Sequence, residues 1–169
     1  MAILHNVVEF LTWLGWYIVP FIVIMNGIVF FHELGHYLVG RWCGVKIEAF
    51  SLGFGPELLA RVDKAGTRWR LALLPIGGYV KFLGDANAAS GQDADALAAV
   101  DPRERGRTLA AQPVYNRAAI VAAGPIANFI LAMVLFTGLF YAFGQVSHNA
   151  RIGIVEPGSP AAKAGFQLG

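Results

Sequence analysis

The most constraining feature of the sequence is a stretch of 22 residues without a charge, from Phe10 to Phe31. A helix needs about 20 predominantly apolar residues to cross the hydrocarbon core of a bilayer. The apolar run extends from about Val7 to Val39, and Pro20 is expected to kink it. We do not expect a cleaved signal peptide, because a basic start and a small-residue cleavage site are missing. Residues 1–40 are therefore predicted to form a first transmembrane segment.

A second uncharged stretch runs from Ala118 to Phe143. The pair Gly124-Pro125 is expected to loosen or break its first turns. Only 14% of the chain is charged, compared with about 25% in soluble domains, and the net charge of +2 is too small to indicate nucleic acid. These features predict an α-helical polytopic membrane protein. Residues 118–144 would be its second transmembrane helix, the lipid bilayer a partner, and nucleic acid not a partner.

Basic residues are concentrated between the two apolar segments. Eleven of the 13 Lys and Arg residues lie within residues 41–117. Because loops rich in Lys and Arg tend to stay in the cytoplasm, this loop is predicted to be cytoplasmic and both termini periplasmic.

The loop itself divides into two parts. Ile47–Leu52 and Arg68–Leu73 alternate partly between apolar and polar residues, and Asp63–Gly66 between them is typical of a turn. Residues 45–82 are therefore predicted to be β structure. Residues 84–112 are rich in Ala, Asp and Gly and are predicted to be flexible.

The composition changes again after the second apolar segment. Ile152–Val155 is strand-like, Glu156–Pro160 is typical of a turn, and Ala161–Gly165 predicts one short helix with Gly as its stop. Because so few residues cannot bury a core, we expect them to belong to a further domain.

The first charge-free run ends in the pattern H-E-x-x-H, formed by His32, Glu33 and His36. On a helix the two histidines lie about 40° apart around the axis, so both can reach one ion. In this pattern the histidines bind zinc and the glutamate is the general base of hydrolysis. Ionisable groups at membrane depth cost roughly 2.5–3.5 kcal/mol each and are usually functional. The pattern predicts hydrolysis inside a membrane; the alternative is the polar interfacial end of a helix.

A catalytic zinc normally has three protein ligands. No acidic residue lies in or near the second apolar segment. Asp85 and Glu57 could reach the metal only if the loop folds back, so neither is predicted to be a ligand.

Four segments of the chain, taken together, resemble a known family. They are His32–His36, Phe50–Gly55, Pro75–Lys81 and Ala122–Phe129. Their order and spacing are similar to those of the site-2 proteases, which are zinc intramembrane metalloproteases, in particular the bacterial regulator of sigma-E type. Val155–Gly165 resembles the opening of a bacterial PDZ domain, so residues 150–169 are expected to be its truncated start.

The resemblance implies roles for individual residues. His32 and His36 would bind Zn²⁺, and Glu33 would be the catalytic carboxylate. Residues 45–82 would be a membrane-re-entrant hairpin, where an unwound substrate segment pairs with an edge strand. The candidate substrate contacts are Gly77, Gly78, Tyr79, Val80 and Lys81. Asn128 would be either a polar group that supports the site or an asparagine that packs the helix.

The resemblance also implies a substrate class and a location. Such an enzyme cleaves transmembrane segments of single-pass membrane proteins, for example an anti-sigma factor, in regulated intramembrane proteolysis. It would lie in the bacterial inner membrane as a multi-pass protein.

One departure from the family bears on activity. The family's third zinc ligand is an Asp in a Leu-Asp-Gly motif of a later membrane helix, and this sequence has no such motif. We therefore expect an N-terminal portion that is inactive by itself. The alternative is a non-catalytic membrane-binding or scaffold fragment of such a protease, and a channel or transporter subunit is a third class.

Overall fold

The computed structural model describes residues 1–85, 94–145 and 153–167. Along the chain the elements are α1 (Ala2–Trp42), β1 (Ile47–Val62), β2 (Arg68–Phe82), α2 (Ala94–Ala98), a 3₁₀ helix (Arg105–Arg107), α3 (Val114–Phe143) and α4 (Pro160–Lys163). The chain divides into two compact units, Met1–Met133 and Val134–Gly169.

The helices α1 and α3 are both long and apolar. The most apolar 18-residue windows within Leu4–Trp42 and Val114–Phe143 have mean hydropathies of 2.0 and 2.2, and both helices are long enough to cross a membrane. Large apolar side chains remain exposed along both, for example Phe21 at 63% and Phe129 at 72%. The two predicted apolar helices are therefore present. Helix α1 continues two residues past the predicted end at residue 40, and α3 begins four residues before the predicted start at residue 118.

The predicted break at Gly124-Pro125 is absent. Helix α3 is continuous from Val114 to Phe143 with Pro125 inside it. Proline removes one backbone hydrogen bond and costs about 3 kcal/mol in a helix interior. The structure nevertheless keeps this helix unbroken over its 30 residues. Helix α1 likewise continues through Pro20.

Strands β1 and β2 form an antiparallel pair joined by the predicted turn. Asp63 N–H donates to the Thr67 carbonyl at 2.9 Å, and Gly66 N–H donates to the Asp63 carbonyl at 3.1 Å. Gly66 has φ +86°, a left-handed conformation that glycine adopts without strain. The hairpin pairing runs from Leu59 opposite Leu71 to Val62 opposite Arg68.

The first part of β1 pairs on both of its sides. Ala49–Leu52 pairs antiparallel with Gly78–Lys81, and the same residues pair in the parallel sense with Arg68–Leu71. This double pairing requires both strands to bend. Gly53 and Gly77, at φ +83° and +89°, lie where they do so. In the described residues, Gly78–Lys81 has strand partners only on its β1 side and is an edge of the sheet.

The core lies where α1, the sheet and the start of α3 meet. Its buried residues are Val45, Ile47, Phe50, Val80, Phe82 and Ile120. Phe50 stacks on Trp69 with ring centroids 4.3 Å apart, and Tyr37 of α1 packs edge-on against both rings. The aromatic contacts attach the sheet to the C-terminal half of α1.

The loop after β2 contains short ordered elements. Residues 94–112 hold α2 and the 3₁₀ helix, and the Arg105 side chain donates to the carbonyls of Val100 and Ala98. Residues 86–93 lie outside the described residues, so the flexibility of residues 84–112 stays a prediction.

In the second unit, the turn and the short helix of the tail occur as predicted. Ser159 caps α4 by accepting from the Ala162 N–H at 3.2 Å, and Gly165 follows the helix at φ +78°. The predicted strand is absent over residues 153–155. A strand needs a partner for its backbone groups, and the described residues give this segment none. Residue 152 lies outside the described residues, and the PDZ domain stays a prediction.

Candidate metal centre

The two histidines of the H-E-x-x-H pattern converge on one point. His32 and His36 lie on consecutive turns of α1, and their Nε2 atoms are 3.2 Å apart. Two nitrogen ligands about 2.0–2.1 Å from a tetrahedral zinc would be roughly 3.3 Å apart. The observed separation therefore fits two imidazoles that share one metal ion.

Helix α3 fixes the orientation of His36. The Nδ1 atom of His36 lies 2.7 Å from the Ile120 carbonyl oxygen. Because a carbonyl can only accept, Nδ1 must carry the proton, which leaves the Nε2 lone pair available. A backbone carbonyl in this place is a common outer partner of metal-binding histidines.

Asn128 of α3 holds the other histidine. Its side-chain amide lies 3.2 Å from His32 Nδ1, and its Oδ1 atom is buried without a hydrogen-bond partner. Amide oxygen and nitrogen are exchanged by a half-turn of the side chain. Only the orientation that presents Oδ1 to His32 Nδ1–H leaves the His32 Nε2 atom free for a metal. We infer that orientation for the metal-bound form.

Gly124 provides the space in front of both imidazoles. A Cβ atom at this position would lie 2.7 Å from His36 Cε1 and 2.8 Å from His32 Nε2. Any side chain larger than hydrogen would occupy the place where the two lone pairs meet. The paired nitrogens, the outer partners and this cradle all fit a bound metal.

Glu33 lies between the histidines and the sheet. The Val80 N–H of β2 is a hydrogen-bond partner of its carboxylate, and a Cβ on Gly78 would lie 3.5 Å from Glu33 Cγ. This backbone donor points away from β1, towards α1. The edge Gly78–Lys81 therefore passes directly beside the predicted catalytic carboxylate.

The five predicted substrate contacts divide between the two faces of β2. Gly78 and Val80 face α1. Tyr79 stacks on Phe54 at 5.9 Å, and Lys81 Nζ lies 2.8 Å from Glu48. Gly77, at φ +89°, marks the bend. The Tyr79 and Lys81 side chains contact β1, whereas Gly78 and the Val80 N–H lie beside Glu33.

Three further residues, Asn26, Tyr37 and Asp63, attach the sheet to α1. The sequence did not identify them as site residues. Asn26 Nδ2 donates to the Pro75 carbonyl at 2.7 Å. Tyr37 OH donates to Asp63 Oδ2 at 3.0 Å. The only sequence signal was an isolated polar residue, Asn26, in an apolar helix.

Asp63 accepts several hydrogen bonds at this attachment. Burial alone would raise its pKa, but the donors Trp69 Nε1, Thr67 N–H, Ala65 N–H and Tyr37 OH outweigh burial and hold the pKa below its ordinary value. Asp63 is therefore an ionised acceptor at neutral pH.

The acidic residues considered as a third ligand are engaged elsewhere. Glu57 pairs with Arg68 and Arg70, and the hydrogen bond from Arg68 lowers the Glu57 pKa. Asp85 accepts from the Phe82 N–H. Within residues 1–85, 94–145 and 153–167, no group of three His, Cys, Asp or Glu side chains could hold a metal. The described chain brings together two ligands and a carboxylate.

Comparison with known families identifies this arrangement. The profile of Peptidase family M50 matches residues 20–166, which include all four motif segments. The chain belongs to peptidase family M50. Its resemblance to the site-2 proteases is thereby confirmed, and so is zinc as the metal that this family uses.

Individual relatives agree with this assignment. The chain is 52% identical over 153 residues to Atu1380 of Agrobacterium fabrum, a protein named as a zinc metalloprotease. It is 51% identical over 154 residues to R01501 of Rhizobium meliloti, which is named in the same way. It is 44% identical over 160 residues to the metalloprotease MmpA of Caulobacter vibrioides. Each alignment covers 90% of this chain, and the chain spans about two fifths of each relative's length.

Proposed function

We propose that this chain forms part of a zinc metalloprotease that cleaves transmembrane segments of single-pass membrane proteins. The observation that carries the proposal is the position of Glu33. It lies one residue from a histidine pair that fits zinc, and it contacts the Val80 N–H of an edge strand of the sheet. A hydrolytic site and a place for an extended peptide are therefore adjacent.

The chain's own residues would divide the work. His32 and His36 would hold the metal, and a bound zinc ion would acidify water and polarise the scissile carbonyl. The carboxylate of Glu33 would accept a proton as general base and return it to the leaving amine. The Ile120 carbonyl and Asn128 would keep the imidazoles oriented. A third ligand, an Asp of a Leu-Asp-Gly motif, would come from outside these 169 residues, so the chain alone is expected to be inactive.

The membrane placement rests on α1 and α3. Their exposed apolar side chains would cost free energy in water, and a bilayer removes that cost. The basic residues of the loop 41–117 favour a cytoplasmic loop, with both termini periplasmic in the bacterial inner membrane.

The substrate class rests on the sheet edge. A transmembrane helix must unwind before its amide bonds can be cleaved, and an edge strand can pair with the backbone groups that unwinding exposes. Gly77–Lys81 would bind such a segment through its main chain. A single-pass protein such as an anti-sigma factor, already shortened by another protease, would suit a site of this kind.

The decisive variant is Glu33→Gln in the full-length protein, reconstituted in liposomes with a single-pass substrate. We expect wild-type zinc content by elemental analysis and a loss of cleavage of about 10²–10⁴-fold, because the general base is removed. Glu9→Gln is the matched control, since Glu9 lies in the first turns of the same helix and pairs with His5. It should cleave at the wild-type rate.

Two outcomes would contradict the proposal. Wild-type protein without zinc, or undiminished cleavage by Glu33→Gln, would exclude the mechanism. Substrate binding without zinc or cleavage would instead favour the non-catalytic membrane scaffold.

A further inference from the structure

A second site lies where α1 ends, on residues other than those of the metal centre. It is a cavity of about 260 Å³ whose lining residues include three basic ones, Arg41, Lys46 and Arg107, together with Gly44 and Ala65. Its volume is several times the roughly 30 Å³ that a water molecule occupies in the liquid. In the part of the chain that the structure describes, no Asp or Glu lines it.

The charge around the cavity is unbalanced. Lys46 Nζ lies 2.7 Å from both Glu104 carboxylate oxygens, and Arg107 Nη1 lies 3.6 Å from one of them. One carboxylate is therefore shared by two cations. Arg41 Nη1 is 3.9 Å from Asp63, whose carboxylate already accepts four other hydrogen bonds. Three cations against two carboxylates leave one excess positive charge.

Backbone hydrogen bonds hold the cavity walls in place. Lys46 N–H donates to the Arg107 carbonyl at 2.9 Å, which joins the start of β1 to the 3₁₀ helix. The last carbonyls of α1 at Val39, Gly40 and Arg41 accept from residues 43–45. A negative ligand would therefore meet no unpaired carbonyl at Val39, Gly40 or Arg41 of the helix C-terminus.

The last turn of α1, which contains the cavity residue Arg41, also carries exposed apolar side chains. Trp42 is 90% exposed and Leu38 is 55% exposed. Trp is enriched at the headgroup level of bilayers, and basic pockets beside membrane helices on the cytoplasmic side bind lipid phosphates. The cavity thus combines excess positive charge, fixed walls and an interfacial position.

We propose that this cavity binds a phosphate group, supplied by the headgroup of an anionic phospholipid. The three basic side chains would contact the phosphate oxygens, and Leu38 and Trp42 would contact the acyl chains. The lipid source rests on the membrane placement proposed above, whereas the phosphate chemistry does not. A soluble phosphate could supply the same chemistry.

The test uses purified protein in a neutral detergent, titrated separately with phosphatidylglycerol, phosphatidylcholine and inorganic phosphate. Native mass spectrometry counts the bound lipid, and a shift in Tm reports phosphate. We expect one saturable phosphatidylglycerol per chain, bound at least fivefold more tightly than phosphatidylcholine. Protection by phosphate alone would assign the site to a soluble anion, and binding of lipid alone would assign it to the headgroup.

Two variants should act in opposite directions. Arg107→Gln should weaken binding about fivefold, because one basic residue is removed. Glu104→Gln should tighten it to a similar extent, because the shared carboxylate becomes neutral. Arg103→Gln is the control, since this exposed residue of the same loop does not line the cavity.

The proposal is overturned if neither lipid nor phosphate binds saturably, if Arg103→Gln matches Arg107→Gln, or if Glu104→Gln weakens binding. Zinc content is measured on every variant. A protein that binds zinc but shows no anion selectivity would exclude this site and leave the proposed protease intact. A protein that binds the anion but no zinc would support this site and exclude the proposed protease.

Discussion

The two sides of α1 are packed in opposite ways. Towards α3 the contact depends on small residues: a Cβ on Gly35 would lie 2.8 Å from the Ala123 carbonyl carbon, and Gly124 faces the imidazoles. Towards the sheet the contact depends on separate side-chain bonds, from Asn26 to Pro75 and from Tyr37 to Asp63. Adding one methyl group should abolish the contact between α1 and α3. Removing one side-chain hydrogen bond should only weaken the contact between α1 and the sheet.

Gly124→Ala should have the largest effect, because its methyl group would occupy the space between the imidazole nitrogens. We expect zinc content to fall below a tenth of the wild-type value and cleavage to fall at least 100-fold. The measurement is elemental analysis paired with the liposome assay. Gly138→Ala in the same helix, which meets nothing within 4 Å, should leave both unchanged. Full zinc occupancy in Gly124→Ala would refute the assignment of the cradle.

Asn128→Ala should come next, since it removes the outer partner of His32 without adding atoms. Loss of such partners typically weakens metal binding by about 10–100-fold. Competition with a zinc chelator measures the affinity. Asn116→Ala, which loses only a bond to Gln112, serves as control. An unchanged affinity would mean that Asn128 only packs the helix, which is the reading left open by its sequence.

Asn26→Ala tests the sheet side and should be milder. One hydrogen bond contributes about 0.5–1.5 kcal/mol, so we expect KM for a membrane substrate to rise about threefold to tenfold with unchanged zinc affinity. Thr12→Ala removes another side-chain bond of α1, to the Val8 carbonyl, and should not affect KM. A loss of zinc in Asn26→Ala would show that the two sides of α1 are not independent.

The smallest effect concerns pH at Asp63. Because its folded-state pKa is lowered, the carboxylate stabilises the fold above the ordinary value of about 3.9 and loses that contribution as pH falls through the lowered value. The Tm difference between wild type and Asp63→Asn should therefore stay constant from pH 8 to 5 and shrink below about pH 4. A difference that already changes between pH 7 and 5 would contradict this assignment.

Sequence patterns predicted the parts of this fold that depend on local spacing. The four-residue interval between His32 and His36 is enough to bring two imidazoles to one ion. The turn at Asp63–Gly66 is likewise local. Long-range contacts carry no such signal: His36 meets Ile120 across 84 residues, and Asn26 meets Pro75 across 49.

The remaining differences have physical causes. The double pairing of Ala49–Leu52 follows from bends at Gly53 and Gly77, and alternation along a strand does not reveal how many partners it has. The prediction of a break at Pro125 was wrong because it considered only the one hydrogen bond that proline removes and not the remaining length of the 30-residue helix. The strand predicted in the tail was based on composition alone, and the described part of this segment has no partner strand.

The residues of α1 that contact the sheet lie on one face of the helix. Asn26, Glu33 and Tyr37 are seven and four residues apart, close to two turns and one turn of 3.6 residues. Inserting a single residue between Asn26 and Glu33 would turn one contact about 100° from the other and shift it 1.5 Å along the axis. The seven-residue spacing between Asn26 and Glu33 therefore sets the position of the sheet edge relative to the Glu33 carboxylate. Lengthening this interval should be less tolerated than exchanging the apolar residues within it.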